Sequence, residues 1–202
     1  MKPCARTIIP GILVLLSLSA CDIGPGSPTP GTGTDNSSQP TPVSYNIPDD
    51  LAFIDLMVPH HQLAVDMARL AEQKATHGQL KGMARDIAWA QADEINRMNI
   101  WRQEIVAATG GDTSSLTTGT SGHEMDPHMM GMDVDLDLLA TSPNFDRDFL
   151  KAMLPHHRSA IDIARSALPH LKKVEVRDLA NDIITTQQTE IDRMTVWLNE
   201  WK

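Results

Sequence analysis

Two pairs of neighbouring histidines, His60-His61 and His156-His157, each follow a proline inside an apolar, helix-like segment. Two glutamates, Glu94 and Glu190, come 33 residues after the second histidine of each pair. Imidazole nitrogens and carboxylates bind transition-metal ions, and imidazoles beside carboxylates titrate near neutral pH. These residues therefore predict either a metal site or a structural network of histidine and glutamate.

The elements that position these side chains are two copies of one motif. Residues 53–69 align with 149–165 at a constant spacing of 96 residues, and nine of the 17 positions are identical. The same spacing aligns residues 83–101 with 179–197 without a gap. An internal repeat of this length indicates that two copies of one structural unit form the fold.

Each copy has the periodicity of two amphipathic helices. Apolar and small residues recur at alternating spacings of three and four, the pattern of helices packed in a bundle. The sequence therefore predicts an all-α four-helix bundle over 49–202, built from two repeated helical hairpins. We expect the repeats to span 49–108 and 143–202, with 109–142 as the long connection between them.

The predicted hairpins bring polar residues to one height in the bundle. Counting from each hairpin turn places His60 level with Glu94 and His156 level with Glu190, and no Lys or Arg shares these helix faces. A buried carboxylate requires a bound cation or a protonated histidine, so a metal site is favoured over a purely structural network. The candidate ligands in the bundle are His60, His61, Glu94, His156, His157, Glu190, Met57 and Met153, the methionines lying on the histidine-bearing faces.

A second cluster of metal-binding residue types lies in the connection, at residues 122–132. Its candidate ligands are His123, Met125, His128, Met129, Met130 and Met132. Thioethers bind Cu(I) or Ag(I) and have little affinity for Zn, Fe or Mg, whereas imidazole also accepts Cu(II). The cluster favours copper in either oxidation state, with another transition metal as an open alternative; the other interpretation is a loop whose methionines cover the apolar end of the bundle.

The N-terminus has the features of an export signal. Lys2 and Arg6 precede an apolar stretch that is shorter than the roughly 20 residues a membrane-spanning helix needs. The sequence Leu18-Ser19-Ala20-Cys21 resembles a bacterial lipobox, so residues 1–20 are predicted to be a signal peptide and Cys21 to be lipidated; an ordinary signal peptide is the alternative. Residues 22–48, rich in Gly, Pro, Ser and Thr, predict a disordered linker.

Composition narrows the classes of function. The chain of 202 residues carries a net charge of −9, which argues against binding nucleic acid through a basic surface. It has 11 Met but only 2 Cys, and cleavage and acylation of the predicted signal peptide would leave no free thiol. No glycine-rich phosphate loop or nucleophile elbow is present, so enzymes of those kinds receive no support.

The repeated phrase Phe-x-x-x-Met-(Val/Leu)-Pro-His-His-x-x-Ala-(Val/Ile)-Asp-(Met/Ile)-Ala, with a Met-rich stretch before its second copy, resembles the domain-of-unknown-function (DUF) family 305. The resemblance covers about residues 49–202 and implies a ferritin-like four-helix bundle, often exported or lipid-anchored. Some members resemble periplasmic copper binders that use Met and His. By that resemblance the four paired histidines match the motif, and Met129, Met130 and Met132 match the Met-rich stretch. The Glu-x-x-His motif of di-iron proteins is absent, because Arg97 and Arg193 stand three residues after the glutamates.

The leading expectation is a lipid-anchored, extracytoplasmic protein that binds copper and sequesters it or passes it on. Two alternatives stay open: a metal-dependent redox enzyme of ferritin-like type, and a structural bundle with a His–Glu core. The expected partners are a metal ion and, through the lipid anchor, a membrane, on the periplasmic or extracellular face. The sequence leaves open a homo-oligomer, a metal-accepting protein and whether any catalysis occurs, although a binding role is favoured over an enzyme.

Overall fold

The computed structural model describes residues 42–110 and 131–201, and these ranges contain five helices and no strand. The helices are α1 (Asp50–Lys74), α2 (Gly78–Ala108), α3 (Leu136–Ala140), α4 (Phe145–Ala167) and α5 (Val174–Glu200). The prediction of an all-α bundle is confirmed. The short helix α3, which lies within the predicted connection 109–142, was not anticipated.

The two repeats form two helical hairpins. Helix α1 packs along α2, α4 packs along α5, and the hairpins meet mainly through α1 and α4. Asp49 caps α1, its side chain accepting a hydrogen bond of 2.9 Å from the backbone amide of Ala52. Pro59 and Pro155 lie inside α1 and α4, directly before the histidine pairs. The bundle therefore places both pairs on its two central helices.

The apolar core is divided into two clusters. One contains Met67 from the second half of α1 and Phe149 from the first half of α4. The other contains Phe53 from the first half of α1 and Ile163 from the second half of α4. The two central helices therefore run antiparallel. The histidine pairs lie between the two clusters along both helices.

Each hairpin turn is held by an aspartate of the other repeat. The carboxylate of Asp146, in the first turn of α4, accepts hydrogen bonds from the backbone amides of Thr76 and His77 at 2.8–3.0 Å. The carboxylate of Asp50, in the first turn of α1, accepts them from the amides of Lys172 and Lys173 at 3.0–3.3 Å. Both carboxylates thereby satisfy amides directly before α2 and α5.

The packed part of the chain begins before residue 49, inside the predicted linker 22–48. The amide of Val43 donates to Asp162 Oδ2 at 3.1 Å, and the amide of Tyr45 donates to Ser166 Oγ at 3.0 Å. Ile47 is buried in the cluster that contains Phe53. Residues 42–48 therefore form a segment that packs along α4.

Several predictions concern residues outside the described ranges. The signal peptide 1–20, the lipidation site Cys21 and most of the linker lie there, as do His123, Met125, His128, Met129 and Met130. Among the described helices, none has a stretch long and apolar enough to cross a bilayer.

Candidate metal centre

A layer of polar residues separates the two apolar clusters in the middle of the bundle. We call it the histidine layer; its buried members are His60, His61, His156, His157, Gln91, Gln187 and Ser159. Glu94 and Glu190 complete it at its two edges, where each carboxylate is partly exposed. The four imidazoles are fully buried, which is unusual for polar side chains and requires partners for their nitrogen atoms.

Each hairpin supplies one histidine–glutamate pair. His61 Nε2 lies 2.8 Å from Glu94 Oε2, and His157 Nε2 lies 2.8 Å from Glu190 Oε2. The distances from the hairpin turns predicted the right height for the glutamates but placed them level with His60 and His156. The contacts are made one position further along each helix, because neighbouring residues point about 100° apart around a helix.

The first histidine of each pair joins the hairpins to one another. The rings of His60 and His156 lie 3.9 Å apart between centroids and are tilted by 41°. His156 Nε2 donates to the carbonyl oxygen of His60 at 3.1 Å. Ser159 Oγ donates to the carbonyl oxygen of His156 at 2.7 Å, so its oxygen is left to accept from His60 Nε2 at 2.9 Å. Both rings therefore carry their proton on Nε2.

Ser159 is a member of the layer that the sequence analysis missed. Its counterpart in the first repeat is Leu63, so no repeated pattern marks the position. The hydroxyl makes the two halves of the layer unequal, because His60 contacts a side chain of the other hairpin whereas His156 contacts a backbone carbonyl. The available signal was that Ser159 is a polar residue three positions after His156, on the same face of the helix.

The electrostatics of the layer favour the neutral form of His156. Burial lowers the pKa of His156 well below its ordinary value of 6.5, and the neighbouring histidines His60, His157 and His61 lower it further. The hydrogen bond to the carbonyl of His60 opposes this shift without reversing it. His156 is therefore neutral at physiological pH, and its Nδ1 atom carries a lone pair.

Several buried nitrogen and oxygen atoms of the layer have no hydrogen-bond partner among the described residues. They are Nδ1 of His61, His156 and His157, and the side-chain oxygens of Gln91 and Gln187. Buried polar atoms without a partner are rare and costly, and a cation is one ligand that such nitrogen and oxygen atoms accept. The donor set therefore fits a metal ion that imidazole binds, although in the described ranges no three His, Cys, Asp or Glu side chains already converge on one point.

The remaining candidate ligands lie at different places. Met57 and Met153 are fully buried one turn before the histidine pairs, Met57 in the cluster with Phe53 and Met153 in the cluster with Phe149. Met132, which belongs to the Met- and His-rich connection, is half-buried and follows Gly131. The histidines and glutamates thus share one layer. Met57 and Met153 lie in the apolar clusters on either side of that layer.

Solved structures with the same arrangement of helices include metal-bound ones. The chain is 35% identical to CopM in its Cu(II)-bound form, covering 79% of this chain and 100% of that one with a TM-score of 0.62. For CopM in its Cu(I)-bound form the values are 36% identity, 76% and 97% coverage, and a TM-score of 0.60. A DUF305 fragment from Deinococcus radiodurans is 26% identical, with 75% and 95% coverage and a TM-score of 0.58.

Sequence comparison agrees with the structural one. A stretch of 57 residues is 39% identical to the uncharacterized protein L153 of Acanthamoeba polyphaga mimivirus, and it spans 28% of this chain and 38% of that protein. The family model described as Domain of unknown function (DUF305) matches residues 50–198, which contain α1, α2, α4, all but the last two residues of α5, and the whole histidine layer. The chain therefore belongs to the DUF305 family.

Proposed function

We propose that the protein binds copper outside the cytoplasm and sequesters the ion or passes it on. This location rests on the predicted signal peptide and on lipidation of Cys21, which would hold the bundle at a membrane through the predicted linker. The likeness to CopM, solved with Cu(I) and with Cu(II), supports copper as the metal.

The observation that carries the proposal is the set of buried imidazole nitrogens that have no hydrogen-bond partner among the described residues. His61, His156 and His157 each direct Nε2 at an oxygen atom and leave Nδ1 without a hydrogen bond. Neutral imidazole is a good ligand for Cu(II) and also binds Cu(I). A protein that needed these histidines only for packing would gain stability from apolar residues of the same size.

The glutamates have a role that differs from direct ligation. A carboxylate that accepts a hydrogen bond from one ring nitrogen orients the ring and raises the basicity of the other nitrogen. Glu94 and Glu190 stand in this relation to His61 and His157. We therefore assign the two glutamates to positioning His61 and His157, while the imidazoles would hold the metal ion.

The methionines would add affinity for Cu(I) to the affinity for Cu(II) that the histidines provide. Met57 and Met153 offer thioethers next to the histidine layer, and thioethers prefer Cu(I). In the connection, His123, Met125, His128, Met129, Met130 and Met132 would form a second, softer site. The protein would then capture Cu(I) through its connection and hold either oxidation state in the bundle.

A structural role is the second candidate function, and the paired contacts of the layer favour it. Both His–Glu pairs are formed, and no three candidate ligands of the described ranges converge. Such a network would fix the register of α1 against α2 and of α4 against α5 without binding any ion.

Titration with copper distinguishes the two candidates. Purified protein is titrated with Cu(II) and, under reducing conditions, with Cu(I) in competition with a chelator, and its melting temperature is followed in parallel. We expect dissociation constants below micromolar and a higher melting temperature with copper, since a ligand that binds only the folded state stabilises it. The double variant His61→Asn, His157→Asn should bind Cu(II) at least tenfold more weakly. An unchanged melting temperature and affinities weaker than micromolar would leave the structural role.

A further inference from the structure

The helices α2 and α5 each bury a single polar side chain. Seven residues of α2 are buried, and Gln91 is the one polar residue among them. Seven residues of α5 are buried as well, and Gln187 is the one polar residue there. The two glutamines are 96 residues apart and occupy equivalent positions in the repeats, each with 3% of its surface exposed. Both hairpins therefore carry an amide on a helix face that is otherwise apolar.

The side-chain oxygens of both glutamines have no hydrogen-bond partner within the two described ranges. An oxygen that is removed from water without a partner costs stability, whereas an apolar side chain of similar size at the same position does not. Packing alone therefore does not explain why Gln91 and Gln187 are glutamines. A ligand that binds their oxygens does.

The glutamines lie one helical turn from the glutamates that contact the histidines. Gln91 precedes Glu94 by three residues, a spacing that places the two Cβ atoms about 5–6 Å apart on one helix face. The side chain of Glu94 is 14% exposed, so the amide of Gln91 is more deeply buried than the carboxylate. Gln187 and Glu190, which is 16% exposed, repeat this arrangement. Each hairpin thus contributes an oxygen to the inside of the histidine layer.

The ring nitrogen and the amide oxygen that each hairpin leaves unpaired need the same kind of partner. His61 Nε2 lies 2.8 Å from the carboxylate of Glu94, so a neutral His61 has its lone pair on Nδ1. Such a nitrogen and a carbonyl oxygen are both acceptors and cannot satisfy each other. A metal cation accepts electron pairs from both atoms. His157 and Gln187 leave the same two atoms unpaired in the second hairpin.

We propose that Gln91 and Gln187 are oxygen ligands of the histidine layer for Cu(II). This inference rests on the proposed function, because it assigns further ligands to the same metal ion. Nitrogen and oxygen ligands together suit Cu(II), whereas the softer Cu(I) prefers thioethers. The glutamines therefore serve Cu(II) in the same bundle in which Met57 and Met153 serve Cu(I).

Two double variants test the assignment. Gln91→Leu with Gln187→Leu removes both amide oxygens at similar side-chain volume. Gln91→Met with Gln187→Met keeps the length of each side chain and replaces the amide by a thioether. In competition with a chelator, both double variants should bind Cu(II) about tenfold more weakly, because oxygen ligands are lost. The affinity for Cu(I) should stay within about twofold in the leucine variant and should not fall in the methionine variant.

The metal-free variants give a readout that separates ligation from a structural role. Leucine removes a buried oxygen that has no partner, so the metal-free leucine variant should melt at the same temperature as the unaltered protein or higher. The visible absorption band of bound Cu(II) depends on its ligands and should shift in both double variants. Gln188→Leu is the matched control, since Gln188 is exposed on the same helix and contacts Asp192; it should change the affinity for Cu(II) by less than about twofold.

The affinity for Cu(II) decides the outcome. A loss of about fivefold or more, without a lower melting temperature and without an equal loss for Cu(I), supports the assignment. Unchanged affinity for Cu(II), or equal losses for both oxidation states, overturns it. If the leucine variant does not fold, the methionine variant decides by the same criteria. Titration of the unaltered protein separates this inference from the proposed function: absence of copper binding refutes the function, whereas normal binding that the glutamine substitutions leave unchanged refutes only the assignment.

Discussion

Asp50 and Asp146 occupy equivalent positions in the two repeats, and each binds the turn of the hairpin to which it does not belong. The exchange is reciprocal: the first turn of α1 holds the start of α5, and the first turn of α4 holds the start of α2. Neither hairpin therefore has all its turn amides satisfied when it is alone. The two repeats should fold as one cooperative unit.

Removal of Asp146 should destabilise the whole bundle. Its buried carboxylate accepts hydrogen bonds from Thr76 Oγ1 at 2.7 Å and from His77 Nδ1, besides the two backbone amides. Because hydrogen bonds to a charged group are strong and their loss leaves amides unpaired, Asp146→Ala should cost about 2–3 kcal/mol of unfolding free energy in urea denaturation. The exposed Asp86→Ala is the control and should stay within about 0.5 kcal/mol. An equal loss in both variants would contradict the role of Asp146.

The same carboxylate should make stability depend on pH in the acid range. Burial raises the pKa of Asp146, but the hydrogen bonds from His77 and Thr76 outweigh it and bring the pKa below its ordinary value of 3.8. A lowered pKa means that the stabilisation is fully present above the unfolded-state pKa and is lost as pH falls through the folded-state value. Urea unfolding between pH 2 and 5 should show the stability gap between the unaltered protein and Asp146→Asn shrinking toward acid. A gap independent of pH would refute this linkage.

The fold was predictable because the repeat and the helical periodicity are local in the sequence. Residues such as Phe53 and Phe149 lie on faces whose spacing of three and four defines which side is buried. The reciprocal aspartates were not predictable, because an acidic residue in the first turn of a helix is also explained by its favourable interaction with its own helix. Their contacts join residues about 70 and 122 positions apart, which no local pattern encodes.

The candidate site was predictable in its height but not in its pairing. Equal distances from the hairpin turns brought the histidines and glutamates to one layer, and the structure has them there. Which histidine of a pair contacts the glutamate depends on the rotation of α1 against α2, which packing of the whole bundle determines. Ser159 was missed for the same reason, since only the approach of α1 to α4 gives its hydroxyl a partner.

Replacement of Met57 and Met153 should separate Cu(I) from Cu(II) binding. Met→Leu keeps the volume of a buried side chain and costs little stability, but it removes the thioether. We expect the double variant to bind Cu(I) about tenfold more weakly and to keep its affinity for Cu(II), because thioethers prefer the softer ion. Competition titrations with a chelator for each oxidation state measure this. Met67→Leu, a buried methionine further along α1, is the control.

An unchanged Cu(I) affinity in the double variant would assign Met57 and Met153 to packing alone. A parallel loss for both oxidation states would instead indicate that the substitutions disturb the histidines. The helix content and melting temperature of the metal-free variants distinguish these results, because a disturbed layer lowers the melting temperature.

Gly131 and Gly110 form a pair that separates backbone strain from close packing. Both have positive φ, +62° and +69°, so an alanine at either position is strained. A Cβ at position 110 meets no atom within 4 Å, whereas at position 131 it would press against the backbone of Pro155 and His156. Gly110→Ala should therefore cost about 1 kcal/mol, and Gly131→Ala clearly more, on the order of 2–4 kcal/mol unless the connection moves away from α4.

Gly131→Ala can either lose stability or move the connection away from α4, and one set of measurements distinguishes these two results. Urea unfolding reports the stability, and stopped-flow mixing with CuCl2 reports how fast copper reaches the layer. If the connection moves, stability is largely kept but association slows relative to Gly110→Ala, because Met132 is no longer placed beside the second repeat. If the connection stays against α4, the stability of the variant falls instead. Equal stability and equal association rates in the two alanine variants would show that the contact between Gly131 and His156 has no role in either property.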